Sequence, residues 1–329
     1  MPPRQPSVKG EVSGAAPMVE LDRPGQANVE PLRWSLTLAQ WDKFVTCCME
    51  TEAWSELARL MGGEELITTH ILNSHFVCPW TSGTGNSVAL LMNIDTLPQK
   101  IEMMISHAWS GSILESKRSL QNCVAHGVPE NTSIFFCTFC LYQPADAAVG
   151  ALSIPEQLAL EPFAKVIDSR PRYGMRVIHT SVYEVYRRMW TVHEVDEGAA
   201  ANIPIHGLFD FTRFRWTALN SALQMNTREA ECRPEDWEML NKKIINRGGY
   251  DRLNNIIHSF REKMKSDFNE HIKAPKTQAI IEEALQKDAN RFKDVDRDAL
   301  DDQARAAFEA DEYKFGNNLT EFDKAVLNP

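Results

Sequence analysis

The sequence predicts an α/β fold, in which a parallel sheet of four to five strands is flanked by helices and carries helical extensions at its N- and C-terminal ends. Short apolar runs of the kind found in buried strands lie at residues 101–105, 133–141, 176–179 and 203–209. Segments with apolar residues at helical spacing separate them. Strands that alternate with helices in this way form right-handed crossovers and pair in parallel.

Composition limits the classes of protein that this chain can represent. It has 329 residues, of which 43% are apolar, enough for one or two domains with a sizeable core. A formal net charge of −10 argues against a general nucleic-acid binder. No apolar run reaches the ~18 residues of a membrane span, and residues 1–7 lack the apolar stretch of a secretory signal. Seven cysteines without a regular framework fit a reducing compartment, so we expect a cytoplasmic protein.

The N-terminal part of the chain divides into an arm and a helical extension. Residues 1–31 are rich in Pro, Gly, Ala and charged residues without any period, so we expect a disordered arm. Residues 32–98 form the predicted extension. Its main helix is expected over residues 35–61, where Ser35 or Thr37 would cap the start.

Residues 99–230 carry the alternating pattern and are predicted to be one α/β domain. Helices are expected between the strands at residues 114–126, 155–166 and 182–195. A loop is expected over residues 142–153, directly after the second strand. The order of elements therefore predicts a sheet with helices on its faces.

The last unit, residues 231–329, is predicted to be a helical extension that ends in an acidic tail. Helices are expected at residues 234–246 and 250–268, after one at 214–225 that closes the α/β domain. Residues 275–329 are charged and alternate weakly, which is typical of an amphipathic helical tail or of a disordered segment.

Trp190 and Glu194 are the most informative pair of residues in the chain. Residues four apart on a helix lie on the same face, so an indole and a carboxylate are expected together just after the third strand. Open α/β sheets bind their ligands at the ends of strands. A carboxylate beside an aromatic ring can hold a cationic sugar or stabilise an oxocarbenium-like transition state. The alternative is an ordinary glutamate on a solvated helix face.

A second group of candidate residues lies at the expected end of the first strand. Ser106 and His107 are placed either to hydrogen-bond a ligand or to cap local backbone groups. Trp109 is either a wall against which a ligand stacks or, as we favour, an anchor that holds the loop in the core. Under each of these interpretations, Ser106, His107 and Trp109 lie at the same edge of the sheet as Glu194.

The cysteine pattern does not predict a metal or redox site. Cys137 and Cys140 form one C-x-x-C within an apolar run, where strand alternation would put them on opposite faces. A zinc site needs two more ligands, and a redox motif belongs at the start of a helix. A caspase-like dyad of His126 with a cysteine is not supported, because the Q-A-C-x-G signature is absent.

Two further motifs also have ordinary explanations. The glycine-rich residues 83–87 lack the lysine of a phosphate loop, so a turn is expected. Residues 294–298 resemble the start of a calcium loop, but Ala299 and Arg305 replace the required Gly and Glu. We therefore expect no metal site.

Three short motifs, in this order along the chain, carry a family resemblance. Residues 103–107 read Met-Met-Ile-Ser-His, residues 190–194 read Trp-Thr-Val-His-Glu after Ser181, and residues 203–205 read Ile-Pro-Ile. Over residues 100–225 the arrangement resembles a Toll/interleukin-1 receptor (TIR) domain, most closely the divergent TIR-like proteins of single-celled eukaryotes. The resemblance implies a TIR/flavodoxin-like parallel sheet.

The chain departs from the family pattern at several points. Thr191 stands where the family usually has a cysteine, and the spacing from Ser181 to Trp190 is longer than usual. A fifth strand is not evident after Phe209.

Catalytic TIR domains cleave the nicotinamide–ribose bond of NAD⁺, so the resemblance implies NAD⁺ as substrate, no separate cofactor, and Glu194 as the catalytic carboxylate. The residues that would line the site are Ser106, His107, Trp109, Tyr142 and Trp190. Other TIR domains are not enzymes and assemble through the loop after the second strand. The alternative is therefore a signalling or assembly module that self-associates through residues 142–153.

Overall fold

The computed structural model describes residues 25–93, 98–146, 148, 150–212, 226–273, 275, 278, 279 and 282. The predictions for residues 1–24, for the helix at 214–225 and for most of the tail lie outside these residues. Within the described ranges, none of the helices combines the length and the apolar character that crossing a membrane requires.

A five-stranded sheet forms the centre of the molecule. Its strands are β1 (Leu36–Thr37), β2 (Met103–Ser106), β3 (Ser133–Phe136), β4 (Met175–Ile178) and β5 (Ile205–Leu208). The order across the sheet is β1-β3-β2-β4-β5. Strands β2 to β5 are parallel, whereas β1 pairs with β3 in the antiparallel direction. The predicted α/β class is confirmed.

Helices flank the sheet and extend beyond it. The α-helices are α1 (Leu38–Met49), α2 (Glu52–Met61), α3 (Thr69–Leu72), α4 (Cys78–Thr81), α5 (Val88–Met92), α6 (Ile113–Ala125), α7 (Cys137–Cys140), α8 (Ile154–Ala159), α9 (Pro162–Asp168), α10 (Met189–Ala200), α11 (Pro234–Asn246) and α12 (Gly249–Lys273). A π-helical turn spans Asn73–Val77, and 3-10 turns span Gln26–Asn28, Pro31–Arg33, Glu64–Leu66, Val185–Arg187 and Thr227–Glu229.

The predicted helix over residues 35–61 is instead a short strand followed by two helices. Thr37 caps α1 as expected: its side chain accepts from the Gln40 amide at 3.1 Å, and the Gln40 side chain accepts from the Thr37 amide at 2.8 Å. Thr51 interrupts the helical run and caps α2. Gly62, with a φ of 82°, ends α2 in a conformation that glycine adopts without strain.

The apolar run at residues 133–141 is not one strand, and this corrects the prediction. Strand β3 ends at Phe136, and Cys137–Cys140 turn into the short helix α7. The Cys140 thiol accepts from the Phe136 amide at 3.2 Å and lies 3.7 Å from the Ile134 carbonyl oxygen. Because most of this run is buried in either conformation, hydrophobicity alone does not show where the strand ends.

The boundaries of other elements also shift. The helix expected at 155–166 is divided into α8 and α9, and the helix expected at 182–195 begins only at Met189. The helix predicted at 234–246 has the same bounds in the structure.

The N-terminal segment shares one apolar core with the sheet. Trp41 of α1 stacks on Phe136 with ring centroids 5.6 Å apart and meets Phe139 edge-on at 5.9 Å. Gln26, within the part of the arm that the structure describes, is buried and donates to the Cys140 carbonyl at 2.8 Å. Strand β1 and helix α1 therefore complete the β3 side of the sheet.

The C-terminal helices are fastened to α10 by buried charge. Asp196 of α10 is 0% exposed and forms ion pairs with Arg252 of α12 and, at 3.8 Å, with Arg247. Arg247 also donates to Glu197 at 2.7 Å. A buried carboxylate is tolerated because these guanidinium groups compensate its charge.

We expect Asp196→Ala to lower the free energy of unfolding, measured by urea titration, by roughly 2–4 kcal/mol. The loss falls below the upper range for broken buried ion pairs because both arginine side chains are 33% exposed. Asp251→Ala is the control, since Asp251 is 91% exposed beside Arg228. It should change stability by less than about 0.5 kcal/mol. Equal effects of the two substitutions would contradict the fastening role of Asp196.

Candidate functional site

The candidate site lies where the two central parallel strands end. The chain leaves β2 and returns in β3 on one side, whereas the next strand, β4, pairs on the other side of β2. The direction of winding therefore reverses between β2 and β4. Crevices at such reversal points, beyond the carboxyl ends of the strands, are where open α/β sheets bind ligands.

Glu194 and Ser106 meet at this point. Ser106 is the last residue of β2, and its hydroxyl donates to Glu194 Oε2 at 2.5 Å. Glu194 lies on α10, the helix between β4 and β5, and keeps only 7% of its surface exposed. Two residues that lie 88 positions apart in the sequence are thus joined by a hydrogen bond.

Burial sets the protonation of this carboxyl group. Loss of contact with water raises the pKa of Glu194 to about 8, and the hydrogen bond from Ser106 opposes that rise. The protonated form is therefore favoured at neutral pH. Any ligand that needs the anion must either bind above this pH or stabilise the charge itself.

His107 lies beside this pair as a neutral imidazole. Burial is the main cause that lowers the pKa of His107 to about 3, with a further contribution from His70. The ring packs on Phe136 with centroids 4.1 Å apart, and its Nε2 is 3.4 Å from the Thr138 hydroxyl. The His107 carbonyl accepts from the Thr191 hydroxyl at 3.4 Å. Thr191, which departs from the family pattern, thereby ties α10 to the residue after β2.

Cys137 completes the cluster, and the sequence analysis missed it. Its thiol is 3.9 Å from His107 Nε2. Burial raises the pKa of the Cys137 thiol to about 12, the charge of Glu194 adds to the rise, and the side chains of Trp109 and Thr138 oppose it. The thiol is therefore neutral, and because the thiolate is the nucleophilic form, a packing contact is the better assignment for Cys137 than a nucleophilic role. Its position directly after a buried strand was the available signal.

Trp109 stands at the outer side of the cluster. It is partly exposed, and its ring lies 5.2 Å from the His70 ring. The Trp109 carbonyl accepts from the His70 amide at 3.1 Å. The Trp109 backbone thus anchors the loop, its side chain hydrogen-bonds with the Cys137 thiol, and its role as a ligand-stacking wall stays a prediction.

The described partners of Trp190 lie on its own helix and on neighbouring helices. Its ring packs on Phe163 at 5.6 Å and on His193 at 6.3 Å, and its Nε1 donates to Asp236 of α11 at 2.9 Å. Spacing along a helix fixes a shared side, but the direction of a large side chain depends on its partners. Trp190 thus joins α10 to α9 and α11, and its pairing with Glu194 stays a prediction.

Tyr142 is also engaged elsewhere. Its hydroxyl donates to Asp146 at 2.6 Å, and its backbone exchanges hydrogen bonds with the Gln157 side chain. Asp146 in turn accepts from the Ser82 hydroxyl and the Gly83 amide at 2.9 and 2.8 Å. The described contacts of Tyr142 therefore stabilise two loops against each other and do not include the Glu194 cluster.

A second buried carboxyl group lies at the same end of the sheet. Glu115 of α6 accepts from the Ser181 amide at 2.7 Å and from the Ser181 hydroxyl at 3.1 Å. Burial raises the pKa of Glu115 to about 7, Ser181 opposes the rise, and Asp210 and Glu65 add to it. Ser181, the serine that precedes the motif at residues 190–194, thus fixes the loop after β4.

The molecule has a groove of about 580 Å³ between α1 and α6 and a cavity of about 150 Å³ beside β4 and β5. Glu194 lines neither of them. Within the described ranges, no group of three or more His, Cys, Asp or Glu side chains has the geometry of a metal site.

We expect Glu194→Gln to stabilise the protein at alkaline pH. The folded pKa of Glu194, about 8, lies above its ordinary value of 4.5. Its contribution to stability is thus complete below the ordinary value and is lost as pH rises through about 8. Glutamine stays neutral, so the variant should melt roughly 5 °C higher than wild type at pH 9. At pH 5 the two should melt together.

The exposed Glu238 of α11 provides the control, because Glu238→Gln removes a charge without removing a buried acid. Calorimetric scans across the pH range would make the comparison. If Glu194→Gln and Glu238→Gln changed the melting temperature in parallel at every pH, Glu194 would not be a buried titrating group.

Comparison with known proteins gives no match: no family model, no curated protein and no solved structure matches this chain. The geometry of the site and its chemistry are therefore the basis on which a function is inferred for this chain.

Proposed function

We propose that this chain is a TIR-like protein that hydrolyses the nicotinamide–ribose bond of NAD⁺, with Glu194 as the catalytic carboxylate. One observation carries the proposal. The Glu194 side chain is held by Ser106 at the point where the winding of the parallel sheet reverses. Buried carboxyl groups with a strongly raised pKa in such a position are typical of functional sites.

The strand order supports the resemblance to a flavodoxin-like sheet. Taken in chain order, the four parallel strands lie second, first, third, fourth across the sheet. Sheets of this order bind ligands at the junction of the first and third parallel strands. In this chain those strands are β2 and β4, and Ser106 ends β2 at that junction.

A carboxylate suits the proposed reaction. The bond between ribose C1′ and the nicotinamide nitrogen breaks with its electron pair going to nitrogen, so the cationic ring leaves as a neutral base. Positive charge develops on the ribose, and the nearby anion of Glu194 stabilises it. Water then adds its oxygen to C1′ and releases a proton. The leaving group needs no acid, so one carboxylate is sufficient.

The raised pKa of Glu194 fits a cationic substrate. A positively charged nicotinamide ring close to the carboxyl group favours its ionised form and would lower its pKa on binding. His107 is neutral and adds no competing positive charge. Because Glu194 is 7% exposed, substrate entry requires the surrounding side chains to move. Trp109 is partly exposed and is placed to do so.

The proposal is tested by incubating the purified chain with NAD⁺ and following nicotinamide release. We expect Glu194→Gln to reduce the rate by about 10²–10³-fold, the usual effect of removing one charge contact to a transition state. Glu238→Gln should leave the rate unchanged, since Glu238 is exposed on α11. Absence of release by wild type at every concentration and pH, or equal release by Glu194→Gln, would remove the proposal.

The same assay predicts a dependence on pH. Because the reaction needs the carboxylate, kcat/KM should rise with pH up to about 8, the pKa of Glu194, and level off above it. Ser106→Ala removes the hydrogen bond that opposes the rise in this pKa, so its midpoint should move to higher pH. A profile that is flat between pH 6 and about 9 would show that Glu194 does not titrate in the reaction.

The alternative is a non-enzymatic module that self-associates through residues 142–153. The described part of this loop is fixed, because Asp146 accepts hydrogen bonds from Tyr142, Ser82 and Gly83. A fixed loop offers a ready-made contact surface. Under this alternative, Asp146→Ala should weaken concentration-dependent association in light scattering, and Glu194→Gln should leave association unchanged.

A further inference from the structure

We propose that the cavity between β4, β5 and α6 binds a small oxyanion the size of phosphate. We call this space the Arg176 cavity. Its lining includes Arg176 of β4, His206 of β5, and Ser119, Asn122 and His126 on the side of α6. The proposal does not depend on the hydrolase, because Glu194 does not line this cavity.

The strands place a cation on the α6 face of the sheet. Arg176 and His206 are paired in register on neighbouring parallel strands. The preceding residues, Met175 and Ile205, reach Gly198 of α10 on the other face. Because successive side chains of a strand alternate between faces, Arg176 and His206 both point towards α6.

Two polar groups in the cavity wall have unused hydrogen-bonding capacity. Arg176 Nη1 is buried and has no hydrogen-bond partner within the described residues. The same holds for the hydroxyl of Ser119, a residue that is 0% exposed. Buried polar groups of native proteins are nearly always paired. Two donor atoms in the wall of one cavity, Arg176 Nη1 and Ser119 Oγ, have no partner among the described residues and indicate a ligand that accepts hydrogen bonds.

Charge favours an anion as that ligand. Among the described residues that line the cavity are an arginine and two histidines, and none of these residues is an aspartate or glutamate. Asp210, two residues beyond the end of β5, pairs with Arg118 at 3.2 Å. The thiol of Cys123 also lies against Arg176, and burial raises its pKa while the guanidinium opposes that rise. An oxyanion would supply both the missing charge and the missing acceptors.

The volume limits the size of the ligand. About 150 Å³ exceeds the roughly 30 Å³ that one water molecule occupies, so several water-sized groups fit. It falls below the ~300–1,000 Å³ of pockets for drug-sized ligands. A free phosphate or the phosphate end of a monoester fits these limits, and a whole nucleotide does not.

The test is calorimetric titration of the full chain with inorganic phosphate at constant ionic strength. We expect saturable binding at neutral pH, weakened about tenfold or more in Arg176→Gln, as for the loss of a charged hydrogen bond. Arg172→Gln is the matched control, because Arg172 is 74% exposed, and it should bind as wild type does. Glycerol 3-phosphate replaces phosphate in a second arm. Tighter binding of either compound supports the site and shows whether its ligand is free phosphate or a phosphate monoester.

Absence of saturable phosphate binding, or equal binding by Arg176→Gln and wild type, would show that the cavity holds only water and overturn the proposal. If Arg176→Gln does not fold, Ser119→Ala decides the question. A loss of about threefold or more in phosphate affinity supports the site, since one neutral hydrogen bond is removed, and unchanged affinity overturns it.

Discussion

The burial of the central strand β2 is the constraint on which the rest of the structure depends. Its residues Met103, Met104 and Ile105 are almost fully buried, with β3 on one side and β4 on the other. A strand covered on both faces and paired at both edges is polar only where it ends. Ser106 is that end, so its hydroxyl must find a buried partner. Glu194 is the partner, and the position of α10 follows from this contact and from the apolar residues beside it.

The alternating apolar runs were sufficient to predict the α/β class and the four parallel strands. They were not sufficient to predict elements that are defined only by contacts in the folded structure. Strand β1 has two residues and pairs with β3, a contact that no local pattern shows. The end of β3 was misplaced because Cys137–Cys140 is about as apolar as the strand before it. Helix ends with a polar cap were better defined, since Thr37 acts through local hydrogen bonds.

The residues of the candidate site also differ in whether a local sequence pattern or only the tertiary structure reveals their contacts. Ser106 and Glu194 were expected at the same edge of the sheet because strand ends in a parallel sheet converge, and their hydrogen bond agrees with this, whereas their role in a site stays a prediction. For Trp190, helical spacing does not specify which neighbours a large ring will contact, and here they include Phe163 and Asp236. Cys137 and Glu115 were missed because their importance comes from burial, which a single sequence does not reveal. The raised pKa of Glu194 is likewise a property of packing.

The ion pairs of Asp196 bear on where this protein can be divided. Asp196 is two residues from Glu194 on α10, and its compensating arginines come from the segment after residue 230. A recombinant fragment that stops at the predicted boundary of the α/β domain would leave a buried anion without its counter-ions on the helix that presents the carboxylate. The smallest unit that keeps α10 in place therefore includes the C-terminal segment through at least Arg252. A shortened version of this protein must end after that residue.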